Sequence, residues 1–235
     1  MSDMSINLDR IEGRLRAACE RVGRDREQIT LVAVSKRQPL EAVHEARVLG
    51  VEVFAENYAQ ALRERIEAIP EASWDFVGHV QSNKARYLVP SVRLIHSLST
   101  ASAARALSSR AERHHTNVVV LVEVDTSEDA GEGTGPRTGA SAAEARELAR
   151  TVRELPGIHL RGLMAMPPRG ASPEASRPHF ERVTRLRDEL EEDLGRPLPD
   201  LSMGMSDDYE VAVEEGATLV RIGTALFGQR EGPSP

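Results

Sequence analysis

Lys36 ends a short apolar run, Leu31-Val32-Ala33-Val34-Ser35. The run is too short for a globular helix and rich in β-branched residues, so it reads as a buried parallel strand. In parallel α/β folds, ligands bind at the carboxyl ends of the strands. Burial disfavours an ammonium, so a lysine there loses its proton more easily than one in water. The neutral amine can attack an aldehyde and form a Schiff base. Taken alone, Lys36 reads better as a charge that caps a strand and reaches solvent, since strands often end on a charge. The far end of the chain changes the balance. Gly204-Met205-Ser206 and Arg221-Ile222-Gly223-Thr224 each follow or finish a short apolar segment. Glycines let a backbone approach a phosphate, while hydroxyls and free N–H groups donate to it. Each piece alone is an ordinary cap or turn. Their occurrence after the last two strands, opposite a strand-end lysine, points to a phosphate cradle.

An imine-forming lysine that faces a phosphate cradle suggests pyridoxal 5'-phosphate. That cofactor needs an amine for its aldehyde, a cradle for its phosphate and a partner for its ring nitrogen. Arg221 is the candidate partner. A guanidinium always keeps its proton, so it would donate to an unprotonated pyridine nitrogen. The bland alternative for Arg221 is a structural ion pair with an acid on a neighbouring strand.

These residues need a scaffold that brings strand ends together, and the rest of the chain supplies one. Residues 6–22 carry Leu8, Ile11, Leu15, Ala18 and Val22 at helical spacing, an amphipathic lead-in helix. After the first strand, Pro39 opens a helix that Gly50 closes. Further strands are predicted over 51–54, 74–77, 92–95, 117–125, 158–164, 201–203 and 218–222, with helices between them. Thr100 or Ser102 caps the alanine-rich helix, and Ser141 caps the next. Residues 126–139, rich in Gly, Thr and acids, have no periodicity and read as a mobile loop. Eight strand–helix alternations imply parallel strands joined by helices. That rhythm matches a single (β/α)8 TIM barrel in preference to an open doubly wound sheet. Residues 1–230 are expected to form one barrel domain and 231–235 a disordered tail. In a barrel, Lys36, Asn57, His79, Ser97, Met166, Ser206 and Gly223 surround one mouth.

Composition removes several classes. The chain of 235 residues has a formal net charge of -7, with basic residues alternating with acids along the helices. A nucleic-acid surface needs a clustered basic face, so nucleic acid is not expected as a partner. One cysteine, Cys19, rules out an intrachain disulfide or a cysteine-based zinc site, and no metal is expected. The longest apolar run, 118–122, is too short for a signal sequence or membrane span. The expected compartment is the cytoplasm, and a lone barrel with a charged surface is expected to be a monomer.

At this point a family resemblance enters. It rests on Leu31-Val32-Ala33-Val34-Ser35-Lys36, Glu56-Asn57-Tyr58, Phe76-Val77-Gly78-His79-Val80-Gln81-Ser82-Asn83-Lys84, Leu201-Ser202-Met203-Gly204-Met205-Ser206-Asp207 and Val220-Arg221-Ile222-Gly223-Thr224. In this order they resemble the pyridoxal phosphate homeostasis proteins. The resemblance implies a barrel similar to the N-terminal domain of alanine racemase, without its β-domain. It implies a cytosolic binder of the cofactor that regulates its supply and has no established catalysis. It makes Lys36 the Schiff-base lysine, Ser206, Gly223 and Thr224 the phosphate cradle, and Arg221 the ring-nitrogen partner. Asn57 falls near the ring and Met205 packs in the phosphate loop; no catalytic residue is assigned. His79 and Lys84 belong to the signature without an assigned role, and both also read as surface or strand-end residues. The chain departs from the family pattern at Asp75, often His, and Ala55, often Gly; neither is expected to touch the cofactor contacts. Arg137-Thr138-Gly139 stands where the family has a Lys-x-Gly element.

Three functions follow. The first is cofactor binding and delivery, with apo-enzymes as recipients. The second is a small amino-acid racemase or lyase, which needs a second proton-transfer group, Tyr58 or His79. The third is a barrel for another phosphorylated metabolite, with no imine and ligand binding retained in Lys36→Ala.

Overall fold

The computed structural model describes residues 2–126, 139–168 and 172–228. Its eight strands close into a parallel barrel in sequence order: β1 (Thr30–Val34), β2 (Val53–Glu56), β3 (Ser73–Phe76), β4 (Leu94–Leu98), β5 (Val118–Asp125), β6 (Ile158–Met166), β7 (Asp200–Ser202) and β8 (Leu219–Ile222). β1 pairs with β8 to make the closing seam, Val32 opposite Arg221 and Ala33 opposite Ile222. The expected (β/α)8 architecture is therefore the one observed.

The helices are α1 (Asp3–Arg21), α2 (Leu40–Val48), α3 (Ala59–Ala68), α4 (Ala85–Leu88), α5 (Ala101–Arg113), α6 (Ala142–Glu154), α7 (Pro173–Leu194), α8 (Tyr209–Glu214) and α9 (Thr224–Phe227). Their ends follow local chemistry. Thr100 caps α5 by accepting from the Ala103 N–H, and Ser141 and Glu144 form a reciprocal capping box on α6. The lead-in helix starts at Asp3 rather than residue 6, because Ser2 caps it by accepting from the Ser5 N–H.

Two layers bury the apolar side chains. The outer layer lies between strands and helices, with Ile11, Leu15, Phe54, Leu107 and Phe180 almost wholly buried. The inner layer fills the barrel with Val32, Ala55, Leu94, Leu121, Met164 and Leu219. Parallel pairing keeps partners on one face. Asp75, paired with Ala55 and Leu94, therefore points inward. Ser202, paired with Met164 and Leu219, does so too. His96 is two residues past Leu94, and Arg221 is paired with Val32. The interior is thus apolar with a buried polar chain set into it.

Two strands are displaced from their sequence-based positions. β4 runs over Leu94–Leu98 instead of 92–95, and β2 over Val53–Glu56 instead of 51–54. In both, polar residues that read as loop are buried: His96, Ser97 and Glu56. Each has a partner on a neighbouring element. Helix α9 was not expected at all. Arg137, Thr138 and the 231–235 tail lie outside the described residues.

Candidate functional site

The turn after β1 presents Lys36, two residues beyond the end of the strand and half-buried. The turn is stitched down. The Gln38 N–H donates to the Ser35 carbonyl at 3.0 Å, and the Ser35 hydroxyl donates to Glu56 Oε1 at 2.8 Å. Arg65 donates to the Gln38 carbonyl and lies 3.5 Å from Glu56. Burial raises the Glu56 carboxyl above its ordinary pKa, and the Ser35 hydroxyl, Arg65 and Lys36 partly offset this.

The loops after β7 and β8 meet. Thr224 Oγ1 donates to Ser206 Oγ at 3.2 Å, and the Ala225 N–H donates to the same oxygen at 3.2 Å. Met205 is half-buried, and its N–H donates to Asp208 Oδ1 at 2.7 Å. The Arg221 N–H donates to the Gly204 carbonyl at 3.0 Å, which ties β8 to the Gly204 turn. Gly204 has φ +88°, and a Cβ there would sit 2.5 Å from the Ala212 Cβ; only glycine fits. A Cβ on Gly223 would lie 3.6 Å from the Val34 carbonyl oxygen. The phosphate-loop candidates therefore abut the end of the strand that carries Lys36.

Arg221 is 4% exposed and faces the barrel interior. Nη1 donates to the Ser202 carbonyl at 2.7 Å and to Ser202 Oγ at 2.6 Å; Nη2 donates to the Ala165 carbonyl at 3.0 Å. Burial pulls its pKa down to about 10, while the fields of Glu123 and Asp208 act the other way. These bonds differ from a simple ion pair with a neighbouring strand's acid.

Asn57 follows β2, half-buried, and its Oδ1 is buried with no hydrogen-bond partner. It lines a cleft of about 520 Å³ shared with Tyr58, His79, Gln81, Lys84 and Tyr87. Tyr58 is 55% exposed, and His79 and Lys84 are exposed. Ser97 is instead buried within β4, where it donates to the Gly78 carbonyl. Among the described residues, no cluster of His, Cys, Asp or Glu is arranged to hold a metal, and no helix is long and apolar enough to cross a membrane.

His96, Ser202 and Asp75 carry no site role in the sequence alone. His96 Nδ1 lies 2.8 Å from Ser202 Oγ, and its Nε2 lies 2.9 Å from Asp75 Oδ2. Asp75 was expected to stay clear of the cofactor contacts. It bonds to His96 and Arg93, and its connection to Arg221 runs only through His96 and Ser202. The available signal was three polar residues at inward-facing strand positions.

The residues present fit an aldehyde-bearing pyridine phosphate. An amine lies at the β1 end, hydroxyls and helix-start N–H groups at the β7 and β8 ends, a buried guanidinium faces inward, and Asn57 offers an orphaned polar atom. The class that this barrel defines is matched by the sequence profile of the alanine racemase N-terminal domain, over residues 6–231. A pyridoxal phosphate homeostasis protein of Aquifex aeolicus (strain VF5) is 41% identical over 226 residues, covering 95% of this chain and 97% of its own. One of the same name from Pseudomonas aeruginosa is 39% identical over 237 residues, covering 100% and 99%. The solved structure of PipY from Synechococcus elongatus PCC7942 with PLP bound superposes with a TM-score of 0.78 at 30% identity, covering 93% of this chain and 100% of that one. The chain belongs to the pyridoxal phosphate homeostasis protein family.

Proposed function

We propose that this protein binds pyridoxal 5'-phosphate through Lys36 and serves the homeostasis and delivery of that cofactor rather than turning over a substrate. The observation that carries the reading is the meeting of the Lys36 strand end with the Ser206 and Thr224 loops, beside an inward Arg221. Lys36 supplies the amine for the aldehyde. Ser206, Gly223 and Thr224 hold the phosphate. Ser206 accepts in both of its contacts above, which leaves its own proton to donate to a phosphate oxygen. Met205 shapes that loop and Asn57 faces the ring. Arg221 meets the ring nitrogen. When bound, the cofactor supplies an aldehyde and an electron-withdrawing ring. A guanidinium partner leaves that ring unprotonated and weakens it as an electron sink, which suits carriage. PipY, a relative at 30% identity, has PLP bound in its solved structure, which supports the ligand. The relatives' name supports the role.

Tyr58 and His79 are the groups a racemase would need for a second proton transfer, and both sit exposed at the rim. That position supports binding over turnover. The recipients of a delivered cofactor are apo-enzymes in this reading, and the working form is a cytoplasmic monomer.

The test is an absorption spectrum of the purified protein with added pyridoxal phosphate, beside Lys36→Ala. A visible band that needs Lys36, and that borohydride fixes to it, is expected. Spectra identical to free cofactor in both proteins would overturn the reading and leave a barrel for another phosphorylated ligand. Turnover of an amino acid that is lost in Tyr58→Phe or His79→Ala would convert it to a racemase.

A further inference from the structure

Arg221 does not end the buried polar chain inside the barrel. It begins it. Arg93 donates to both oxygens of Asp75, through Nε at 2.8 Å and through Nη2. Asp75 is fully buried, as are His96 and Ser202. With both carboxylate oxygens accepting, His96 must donate from Nε2 to Asp75 Oδ2 across 2.9 Å. Full burial favours the neutral imidazole, in which a proton on Nε2 fixes the tautomer and leaves Nδ1 as an acceptor. Among the described residues, the hydrogen that meets Nδ1 is that of the Ser202 hydroxyl, at 2.8 Å. Ser202 Oγ, having donated, accepts from Arg221 Nη1 at 2.6 Å. Every donor and acceptor along the chain therefore has one direction, from Arg221 through Ser202 and His96 to Asp75. The far end is held by Arg93, whose side chain is 39% exposed just before β4 begins.

A guanidinium could rotate about its long side chain among several donor arrangements, and a charge-assisted bond to a ring nitrogen works only in one plane. The carbonyls of Ser202 and Ala165 hold two of its N–H groups. The polarised Ser202 hydroxyl holds a third and sets the plane of the fork.

We propose that Ser202, His96 and Asp75 are positioning residues that orient Arg221 toward the ring nitrogen of a bound pyridine aldehyde phosphate. This rests on the cofactor reading above. None of the three needs to touch the ligand. They act through the guanidinium, so their effect should be confined to the interaction that the guanidinium makes.

The probe is a pair of ligands: pyridoxal phosphate and its 1-deaza analogue, in which C–H replaces the ring nitrogen. Affinities for both are measured on wild type, Ser202→Ala, Ser202→Thr and Lys36→Ala, with a thermal melt of each. Wild type is expected to favour pyridoxal phosphate by roughly tenfold, the size of one charge-assisted hydrogen bond. Ser202→Ala is expected to reduce that preference to about twofold while the affinity for the analogue stays near wild type. Ser202→Thr, which keeps the hydroxyl, is expected to restore the preference. A merely structural role would weaken both ligands together and leave their ratio alone. If Ser202→Ala does not fold, Ser202→Cys gives the same test, since a thiol of similar shape accepts poorly. A wild-type preference that survives in the folded Ala or Cys variant overturns the positioning role and leaves the cofactor reading intact. A wild type that shows no Lys36-dependent binding of pyridoxal phosphate overturns both.

Discussion

His96 is buried completely, and burial lowers its pKa below the ordinary imidazole value. The hydrogen bond and charge of Asp75 act against that shift, while the nearby Arg221 and Arg93 charges reinforce it. The consequence for stability has a definite sign. In the unfolded chain His96 takes up a proton near its ordinary pKa of about 6.5. The folded protein refuses that proton until a lower pH. Between the two values the unfolded state binds more protons, so stability falls as pH falls. The His96 contribution is fully present above about pH 6.5 and is lost as pH drops through the folded value. Urea midpoints between about pH 7 and pH 5 should therefore decline more steeply in wild type than in His96→Gln. A glutamine amide can donate to Asp75 and accept from Ser202, but it does not titrate in this range. Parallel slopes for the two proteins would mean that other groups dominate the acid side.

At the scale of elements, the site depends on how sharply the chain turns between β7 and α8. Gly204 makes that turn at φ +88°, with Ala212 and Tyr209 packed where a side chain would stand. Gly204→Ala should cost roughly 1–3 kcal/mol, because it combines strain with a clash. It should also weaken ligand binding, since Met205 and Ser206 follow directly. Gly13 is the contrasting case. It lies inside α1 with open space where a Cβ would go, so Gly13→Ala should stabilise by about 0.5–1 kcal/mol with binding unchanged. Urea denaturation and a fluorescence titration with pyridoxal phosphate check both signs. The same elements explain what a sequence can and cannot reveal. The alternation of apolar strands and amphipathic helices made the barrel readable, because each βα unit carries its own periodicity. Lys36, Ser206 and Gly223 were readable because strand ends in a barrel converge whatever their separation in sequence. His96, Ser97 and Glu56 were not. Hydropathy ends a strand at a polar residue. These three stay in or beside their strands only because Asp75, Ser202, the Gly78 carbonyl, Ser35 and Arg65 come from other elements to meet them. A partner supplied by tertiary contact leaves no local signal. Helix α9 was missed for a related reason: four residues are too few to show a period.

For the molecule as a whole, the decisive feature is that the candidate site straddles the closing seam of the barrel. Lys36 follows β1 and the candidate phosphate residues Gly223 and Thr224 follow β8, and these first and last strands pair directly. Asn7 on α1 adds a second tie, donating to the Leu226 carbonyl of α9 at 3.2 Å. A ligand held at once by Lys36 and by Ser206 and Thr224 would link the two ends of the chain in the folded state and have no such site in the unfolded one. Binding should then raise global stability by mass action, by about 2.7 kcal/mol at a free ligand concentration of 100 times Kd. For a chain of this size each kcal/mol moves Tm by about 2–4 °C, so the melt should shift by roughly 5–11 °C. Lys36→Ala removes one side of the link and keeps the phosphate loop. It should bind more weakly and shift far less at the same ligand concentration, and inorganic phosphate should give wild type and Lys36→Ala the same small shift. A Lys36→Ala melt that moved with pyridoxal phosphate as far as wild type would show that the phosphate loop alone holds the ligand. In that case the seam would not be bridged, and the lysine would not be what retains the cofactor.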